Sequence, residues 1–257
     1  MRSFTFETRK KLYFAPQPHK PKPSADREKA DAAPDRPPVL LVRTRVPVFT
    51  PTETESAACA KEKAFCEKLN RRYAAFAESY FRIPHKVLHK AAAASQENGR
   101  PCALLWQCEV PFNVENAVSL FTDVSGFDAK TTAKRRICTL WSVETGTLLV
   151  PSQVFYTGHS QRKAVIDRLC AIAENNLNRK LFTYYDNFEA ILHKHFSFGS
   201  SYFVPNGVAF CFDGGVLNAR KDEIAVFVLR FEELDGILKW FPKTDANADR
   251  IYKWVSK

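Results

Sequence analysis

Three successive stretches of the sequence alternate between apolar side chains and other residues, and this alternation constrains the fold more than any other feature. The stretches are marked by Leu104, Trp106, Cys108, Val110 and Phe112, by Val118, Leu120 and Val124, and by Ile137, Thr139, Trp141 and Val143. A period of two places each set on one face of a strand. The pattern therefore predicts an antiparallel β-sheet with one covered face.

Helical spacing occurs on both sides of these strands. Apolar residues recur every three or four positions from Phe65 to Tyr80, and again within residues 160–180 and 186–195. Such spacing predicts amphipathic helices, and Pro84 predicts a break after the first of them. The fold class is therefore α+β, with an antiparallel sheet packed against two or three helices in two consecutive lobes.

The domain organisation follows from the distribution of proline and glycine. Nine of the 15 prolines precede residue 52, and no glycine occurs before Gly99. We predict a disordered, basic and proline-rich arm over residues 1–38, an N-terminal α+β lobe over residues 39–157 and a C-terminal α+β lobe over residues 158–257. Docking of the opening residues as a strand, through Phe4, Phe6, Leu12, Tyr13 and Phe14, is the alternative to a flexible arm. The second lobe ends in an aromatic tail, which we expect to pack back onto the domain.

The C-terminal lobe contains a hairpin signal and a strongly apolar strand. Asn206 and Gly207 separate two strand-like runs, and this dipeptide is typical of a type I′ turn, in which both residues have positive φ. Residues 224–229 are apolar at every position. That run predicts a central strand covered on both faces.

Charge and cysteine content limit the partners and the compartment. Lys and Arg outnumber Asp and Glu by 38 to 28, a formal net charge of +10 that favours anionic partners. The 7 cysteines include no CxxC pair, so we expect free thiols. No stretch is long and apolar enough for a membrane span, and the basic N-terminus lacks the apolar region of a secretory signal. We therefore expect a cytoplasmic protein.

One set of candidate binding residues lies in the predicted arm. Arg9, Lys10 and Lys11 are adjacent and stand close to Tyr13. Basic residues beside an aromatic ring are typical of proteins that bind single-stranded nucleic acid. Most charge runs are solvated surface, so nucleic-acid binding through this arm is an alternative rather than the main interpretation.

A second charged segment follows the predicted hairpin. Asp213 precedes Gly214 and Gly215, so a flexible loop can present its carboxylate, although turn chemistry alone explains an Asp-Gly sequence. Arg220 and Lys221 end the same segment. We take Asp213, Arg220 and Lys221 as further candidate binding residues.

The sequence gives no positive indication of catalysis, a metal or a cofactor. His85 and His89 have the spacing of a helical metal pair, but Lys86 stands where a zincin has glutamate. GxSxG, P-loop and GxGxxG motifs do not occur. Glu232 and Glu233 are adjacent, so in an extended chain they point to opposite faces and do not suit shared acid–base chemistry.

The order of elements between residues 39 and 235 resembles the RsiV-like family, the extracytoplasmic domain of the lysozyme-sensing anti-sigma-V factor. The matching residues are Asn70, Glu144, Thr145, Gly146, Phe155, Phe203, Asn206, Gly207, Phe210, Phe212, Phe231 and Leu234. Residues 213–221 depart from the family pattern after the hairpin. The resemblance implies the α+β fold and a binding module, and it identifies no functional residue.

The function predicted from the sequence is non-catalytic binding by an RsiV-like module of a bacterial protein, with an unidentified protein or anionic ligand as partner. The positive net charge would repel a cationic lysozyme, so lysozyme binding is not expected. A nucleic-acid-binding protein that uses the basic arm is the first alternative. An unrecognised hydrolase is the second.

Overall fold

The computed structural model describes residues 2–15, 37–52, 57–126, 133–240 and 242. The fold is α+β, as the sequence predicts, with two sheets and helices packed against them. The larger sheet contains, in spatial order, β1 (Ser3–Phe14), β2 (Pro38–Thr50), β3 (Cys102–Val114), β4 (Ala117–Ser125), β5 (Arg135–Ser142) and β6 (Thr147–Leu148). The smaller sheet contains β7 (Ser201–Val204), β8 (Gly207–Phe212) and β9 (Ala225–Arg230). The helices are α1 (Ala57–Tyr80), α2 (His85–Asn98), α3 (Pro151–Val154), α4 (His159–Asn178) and α5 (Phe188–His195), with a 3-10 helix at Phe231–Leu234.

The N-terminal residues form the edge strand of the larger sheet, which corrects the prediction of a disordered arm over residues 1–38. β1 pairs antiparallel with β2 along its whole length. Phe4 packs against the buried Phe49 with ring centroids 5.9 Å apart, and Tyr13 packs against the cluster beneath α2. This apolar burial holds the strand on the sheet. Residues 16–36 of the predicted arm lie outside the described residues.

α1 and α2 connect β2 to β3 across one face of the larger sheet. Parallel neighbours need such a crossover, and β2 and β3 are indeed parallel, whereas the other described neighbours are antiparallel. Pro84 separates the two helices as predicted, and Gly99 ends α2 with a φ of 65°. Leu69 and Tyr73 of α1 pack against Trp106 of the sheet. None of the helices in the described residues is long and apolar enough to cross a membrane.

The smaller sheet packs against the opposite face of the larger sheet through β7 and β8. β8 is the central strand, and all its residues are buried. The prediction of a central strand at residues 224–229 is wrong, because β9 is an edge strand of the described sheet, and only the face with Ala225, Phe227 and Leu229 packs on the core. On its other face Val226 and Val228 are 38% and 42% exposed.

The β7–β8 hairpin has Pro205 and Asn206 at its tip, one residue earlier than predicted. Val204 pairs with Gly207, and neither Asn206 nor Gly207 has a positive φ, so the turn is not type I′. Proline fixes φ at about −65°, which suits the first central position of a type I turn. Gly207 is required for another reason: a Cβ atom added there would lie 2.0 Å from the carbonyl oxygen of Leu229.

The largest hydrophobic core takes residues from both predicted lobes. Phe112 and Leu140 of the larger sheet belong to the same buried cluster as Leu169 of α4 and Phe210 of β8. The predicted boundary near residue 157 falls between α3 and α4. The core therefore crosses this boundary, and the division into two lobes stays a prediction.

The described part of the predicted aromatic tail packs on the domain, as expected. Ile237 and Leu238 are buried. Trp240 lies edge-on against Phe203 with ring centroids 6.1 Å apart. The rest of the tail lies outside the described residues.

The cysteines whose side chains are described are all free thiols, and most of them are buried. They are Cys66, Cys102, Cys108, Cys138, Cys170 and Cys211. Burial raises the pKa of Cys66 to about 11 and that of Cys108 to about 12. Both thiols are therefore protonated at neutral pH and act as small core side chains. The side chain of Cys59 lies outside the described residues.

Candidate binding surfaces

The predicted basic run lies in the middle of β1, at the outer edge of the larger sheet. Residues 7–12 are all exposed. Successive side chains alternate between the two faces of a strand, so Arg9, Lys11 and Tyr13 face the helices and Lys10 faces the opposite side. Beside the end of α1, the three basic residues line an open cleft of about 400 Å³. We call Arg9, Lys10 and Lys11 the basic edge.

Arg9 and Tyr13 are held by contacts with nearby groups. The Arg9 guanidinium donates hydrogen bonds to Glu7 at 2.7 Å and to Glu78 of α1 at 3.1 Å. The Tyr13 hydroxyl donates a hydrogen bond to the backbone carbonyl of Phe81, directly after α1. The Lys11 ammonium lies 5.1 Å from the centroid of the Tyr13 ring. Burial, reinforced by the Glu78 carboxylate, raises the pKa of Tyr13. Tyr13 therefore belongs to the packing of β1 and is not a free platform for a stacked base.

Lys10 lies directly opposite Arg43 of β2, on the sheet face away from the helices. No carboxylate of the described residues pairs with either cation. Arg43 also has a buried Nε atom without a hydrogen-bond partner among the described residues. Like charges directly opposite each other destabilise a sheet, and an anion beside them would relieve the repulsion. Sequence reasoning missed Arg43 because the pairing of β1 with β2 was not predicted.

A compact ionic cluster joins the larger and smaller sheets. The Arg136 guanidinium donates to both carboxylate oxygens of Asp123, at 2.7 and 2.8 Å, and to the Tyr202 hydroxyl at 3.1 Å. Lys134 Nζ lies 2.9 Å from the same carboxylate. The guanidinium also lies 3.8 Å from the centroid of the Phe121 ring. These groups are mutually satisfied, so the cluster holds the two sheets together.

The carboxylate of Asp213 contacts β5. It accepts a hydrogen bond from the backbone N–H of Arg136 at 2.9 Å, and Arg135 Nε lies 3.4 Å from its second oxygen. The backbone carbonyl of Lys221 accepts from the N–H of Lys134 at 2.7 Å. Asp213 and the backbone of Lys221 therefore fasten the segment 213–221 to the larger sheet.

Asp123→Asn is expected to destabilise the protein strongly at neutral pH and less as the pH falls. Burial raises the pKa of the Asp123 carboxyl, but hydrogen bonds from Arg136 and Lys134 outweigh it and hold this pKa below its usual range. Stability of this kind is present above the unfolded pKa of about 3.9 and is lost as the pH falls through the folded value. Removing one partner of such a buried pair costs about 3 kcal/mol. Calorimetric melts from pH 7 to pH 3 measure the difference from the unsubstituted protein.

Asp167→Asn is the matched control for this prediction. Asp167 pairs with Lys163 at 2.7 Å on the surface of α4, where its side chain is 53% exposed. Exposed pairs contribute about 0.5 kcal/mol, so this variant should melt close to the unsubstituted protein at every pH. A pH-independent loss for Asp123→Asn would contradict the assigned protonation of the cluster.

Arg220 lies at a second surface, a groove between the segments 180–185 and 218–223. The groove encloses about 290 Å³. The N–H of Tyr185 donates a hydrogen bond of 2.9 Å to the carbonyl of Leu217, directly before the second segment, and Arg220 Nε pairs with a Glu223 oxygen at 3.3 Å. The exposed apolar residues of the groove are Leu181, Phe182 and Tyr185. Sequence reasoning missed these three because their exposure depends on how the loop folds.

His85 and His89 lie together at the start of α2. Their ring centroids are 4.5 Å apart, in an edge-to-face arrangement. The described residues include no group of three His, Cys, Asp or Glu side chains with the arrangement of a metal site. The two rings are exposed and contact each other across one helical turn.

The residues that match the RsiV-like pattern have structural roles. Asn70 donates a hydrogen bond to the carbonyl of Phe49 at 2.9 Å and accepts one from its N–H at 2.8 Å, so it fixes the end of β2 against α1. Phe155 and Phe203 are buried in the largest core. Gly146 has a φ of 63°, which favours glycine. The matching pattern therefore reports the fold and not a binding site.

Comparison with known proteins identifies similar structures. No model of a protein family matches the sequence, and no curated protein matches it. The crystal structure of a DUF3298 family member from Bacteroides fragilis has a TM-score of 0.59 and 11% identity, over 100% of this chain and 98% of that chain. A DUF3298 family protein from Pseudomonas aeruginosa PAO1 has a TM-score of 0.53 and 13% identity, over 92% and 94%. The chain therefore has the fold of the DUF3298 family, the family that contains RsiV-like domains.

Proposed function

We propose that the protein is a non-catalytic, cytoplasmic binding module that binds an acidic, extended segment of a protein partner along β1. The observation that carries this proposal is the exposed basic edge in the middle of a 12-residue edge strand. An edge strand offers a row of backbone N–H and C=O groups to which an extended peptide can pair. The basic side chains then select a segment with carboxylates at the matching positions.

Charge supports an acidic partner at this edge. Lys10 and Arg43 face each other without a carboxylate of the described residues between them. An acidic side chain that crosses the edge would remove this repulsion and gain two charge-assisted contacts. Basic residues on an edge also disfavour pairing with neutral or basic strands. β1 therefore disfavours pairing with neutral or basic chains and favours pairing with acidic ones.

The aromatic residues near the basic edge favour a protein segment over a nucleic acid. Single-strand binders stack bases on exposed aromatic faces. Here the ring of Phe6 is covered by the Arg45 guanidinium, which lies 3.7 Å from its centroid. Tyr13 is packed against the helices and carries Lys11 over its ring. Neither ring is free to stack with a base.

The proposal is tested with the full-length chain and two labelled probes, a poly-glutamate peptide and a single-stranded oligonucleotide. Fluorescence anisotropy at low and moderate salt should show binding of the peptide that weakens as salt rises. The double variant Lys10→Glu and Lys11→Glu should bind it at least about tenfold more weakly, a change of about 1.4 kcal/mol.

The matched control is the double variant Lys86→Glu and Lys90→Glu, which makes the same change in net charge on exposed positions of α2. It should bind the peptide nearly as well as the unsubstituted protein. An equal loss in both double variants would show that net charge alone attracts the peptide. Tighter binding of the oligonucleotide than of the peptide, lost in the β1 variant, would establish the nucleic-acid alternative instead. If neither probe binds at low salt, the basic edge is not the binding site.

A further inference from the structure

Two cysteines from different sheets lie in contact. Cys138 of β5 and Cys211 of β8 place their Sγ atoms 3.4 Å apart. The two residues are 73 positions apart in the sequence (211 − 138). A disulfide bond places its sulfur atoms about 2.05 Å apart, so a small side-chain rotation brings this pair to bonding distance.

The surrounding contacts hold the two thiols in this position. Tyr202 and Ala209 pack in one cluster with Cys211, and Phe121 and Cys138 close it from the larger sheet. The sheets are fixed beside this cluster by the N–H of Phe203, which donates to Ser119 Oγ at 2.9 Å. The arrangement therefore does not depend on a mobile loop.

We propose that Cys138 and Cys211 are an oxidation site at which a hydroperoxide forms a disulfide bond between the two sheets. Cys138 is the partner that reacts first. It is partly exposed and lines a pocket of about 130 Å³ between β5, β6 and β7, whereas Cys211 is only 5% exposed. A pocket of this size admits a small oxidant such as hydrogen peroxide and excludes a folded oxidoreductase.

The reaction balances with one peroxide. The Cys138 thiolate attacks one peroxide oxygen, the O–O bond breaks, and the leaving hydroxide takes up a proton to become water. Cys138 is then a sulfenic acid. The Cys211 sulfur attacks the Cys138 sulfur, the S–O bond breaks and the hydroxyl leaves as a second water with the Cys211 proton. Two thiols have lost two electrons to the peroxide.

The environment of the two thiols slows the attack on peroxide and favours the second step, in which the disulfide bond forms. The hydrogen bond with Cys211, together with burial, raises the pKa of the Cys138 thiol. Because the thiolate is the nucleophile, Cys138 reacts slowly at neutral pH and survives brief exposure to oxidant. Once a sulfenic acid forms, the neighbouring Cys211 captures it before a second peroxide can, since the two sulfur atoms are already in contact.

The bond is expected to raise the melting temperature. It closes a loop of about 70 residues, and cross-links of this length restrict the unfolded chain strongly. For a chain of this size we expect an increase of about 10 °C in Tm, reversed by a reductant.

The test uses the full-length protein, reduced and then treated with excess hydrogen peroxide. After denaturation and alkylation, mass spectrometry should find seven free thiols before treatment, and after treatment a peptide that links Cys138 to Cys211. Cys138→Ser and Cys211→Ser should each abolish the linked peptide and the increase in Tm. Cys170→Ser, which removes a thiol on α4, should abolish neither.

Three results would overturn the proposal. The first is a count of seven free thiols after prolonged treatment. The second is an oxidation-dependent increase in Tm that survives Cys138→Ser or Cys211→Ser. The third is stable over-oxidation of Cys138 without a cross-link, which would show that Cys211 does not reach the sulfenic acid in solution.

Discussion

A protein that starts at Val39, and so lacks β1, is expected to be largely unfolded at 25 °C. The truncation removes all 12 residues that pair with β2 and takes Phe4 and Tyr13 out of the clusters beneath α1 and α2. Losing a partly buried aromatic side chain costs about 2 kcal/mol. The stabilisation lost with these two side chains and with the backbone pairing of β2 approaches the free energy of unfolding of a typical domain, which is roughly 5–15 kcal/mol. Far-ultraviolet circular dichroism should show no cooperative melt.

Arg2 adds to the effect of the truncation. Its buried guanidinium donates to the Asn113 side chain at 2.8 Å, and the Asn113 amide donates back to the Arg2 carbonyl at 3.0 Å. Removing Arg2 leaves the Asn113 side chain and the backbone carbonyls of Val114 and Glu115 without this donor, which costs about 1–3 kcal/mol.

Two point variants in the full-length chain separate these contributions. Arg2→Ala and Phe4→Ala should each lower Tm while keeping a cooperative transition, because β1 stays paired in both. If the Val39 chain kept the circular dichroism spectrum and Tm of the full-length protein, β1 would be dispensable and the arm predicted from the sequence would be correct.

The sequence predicts the helices and the inner strands well because their patterns are local. The spacing from Phe65 to Tyr80 and the break at Pro84 depend only on neighbouring residues, and α1 and α2 follow them. β1 lacks such a pattern. Its middle is charged from Arg9 to Lys11, and its partner strand begins more than 20 residues later, so only the tertiary pairing reveals it.

Two further differences arise where the three-dimensional context reverses a local pattern. The alternation predicts that the side chains of Trp106, Cys108 and Phe112 lie on one face of β3. In the structure, the register with β4 shifts between Glu109 and Phe112. Such a bulge sends Phe112 into the core beneath the smaller sheet while Trp106 and Cys108 pack under α1. The apolar run of β9 likewise predicts a central strand, although only one face of β9 is covered.

The candidate sites depend even more on distant pairing. Arg9, Lys10 and Lys11 are visible in the sequence, but their division between two faces, and the position of Arg43 opposite Lys10, require the β1–β2 register. Cys138 and Cys211 show no local signal at all. Their contact exists because two separate sheets pack face to face.

Gly207→Val is expected to destabilise the protein by about 3 kcal/mol, which is the upper part of the usual range for an overpacked position. The cause is the close approach of β9 and not the turn: a Cβ atom at residue 207 would lie 2.0 Å from the Leu229 carbonyl oxygen and 2.9 Å from the Arg230 Cα. Backbone atoms on a paired strand cannot rotate away, so β8 and β9 must separate. Thermal melts should show a decrease in Tm of about 10 °C.

Gly207→Ala separates the clash of the Cβ atom from the added bulk of the valine side chain. Because the Cβ atom itself makes the clash, alanine should cost nearly as much as valine, and the extra methyl groups should add little. Gly199→Ala is the control, since a Cβ atom there would lie 3.4 Å from Ser197 Oγ, at the edge of ordinary contact. It should leave Tm nearly unchanged. If Gly207→Ala also melted like the unsubstituted protein, β8 and β9 would be farther apart than the structure places them.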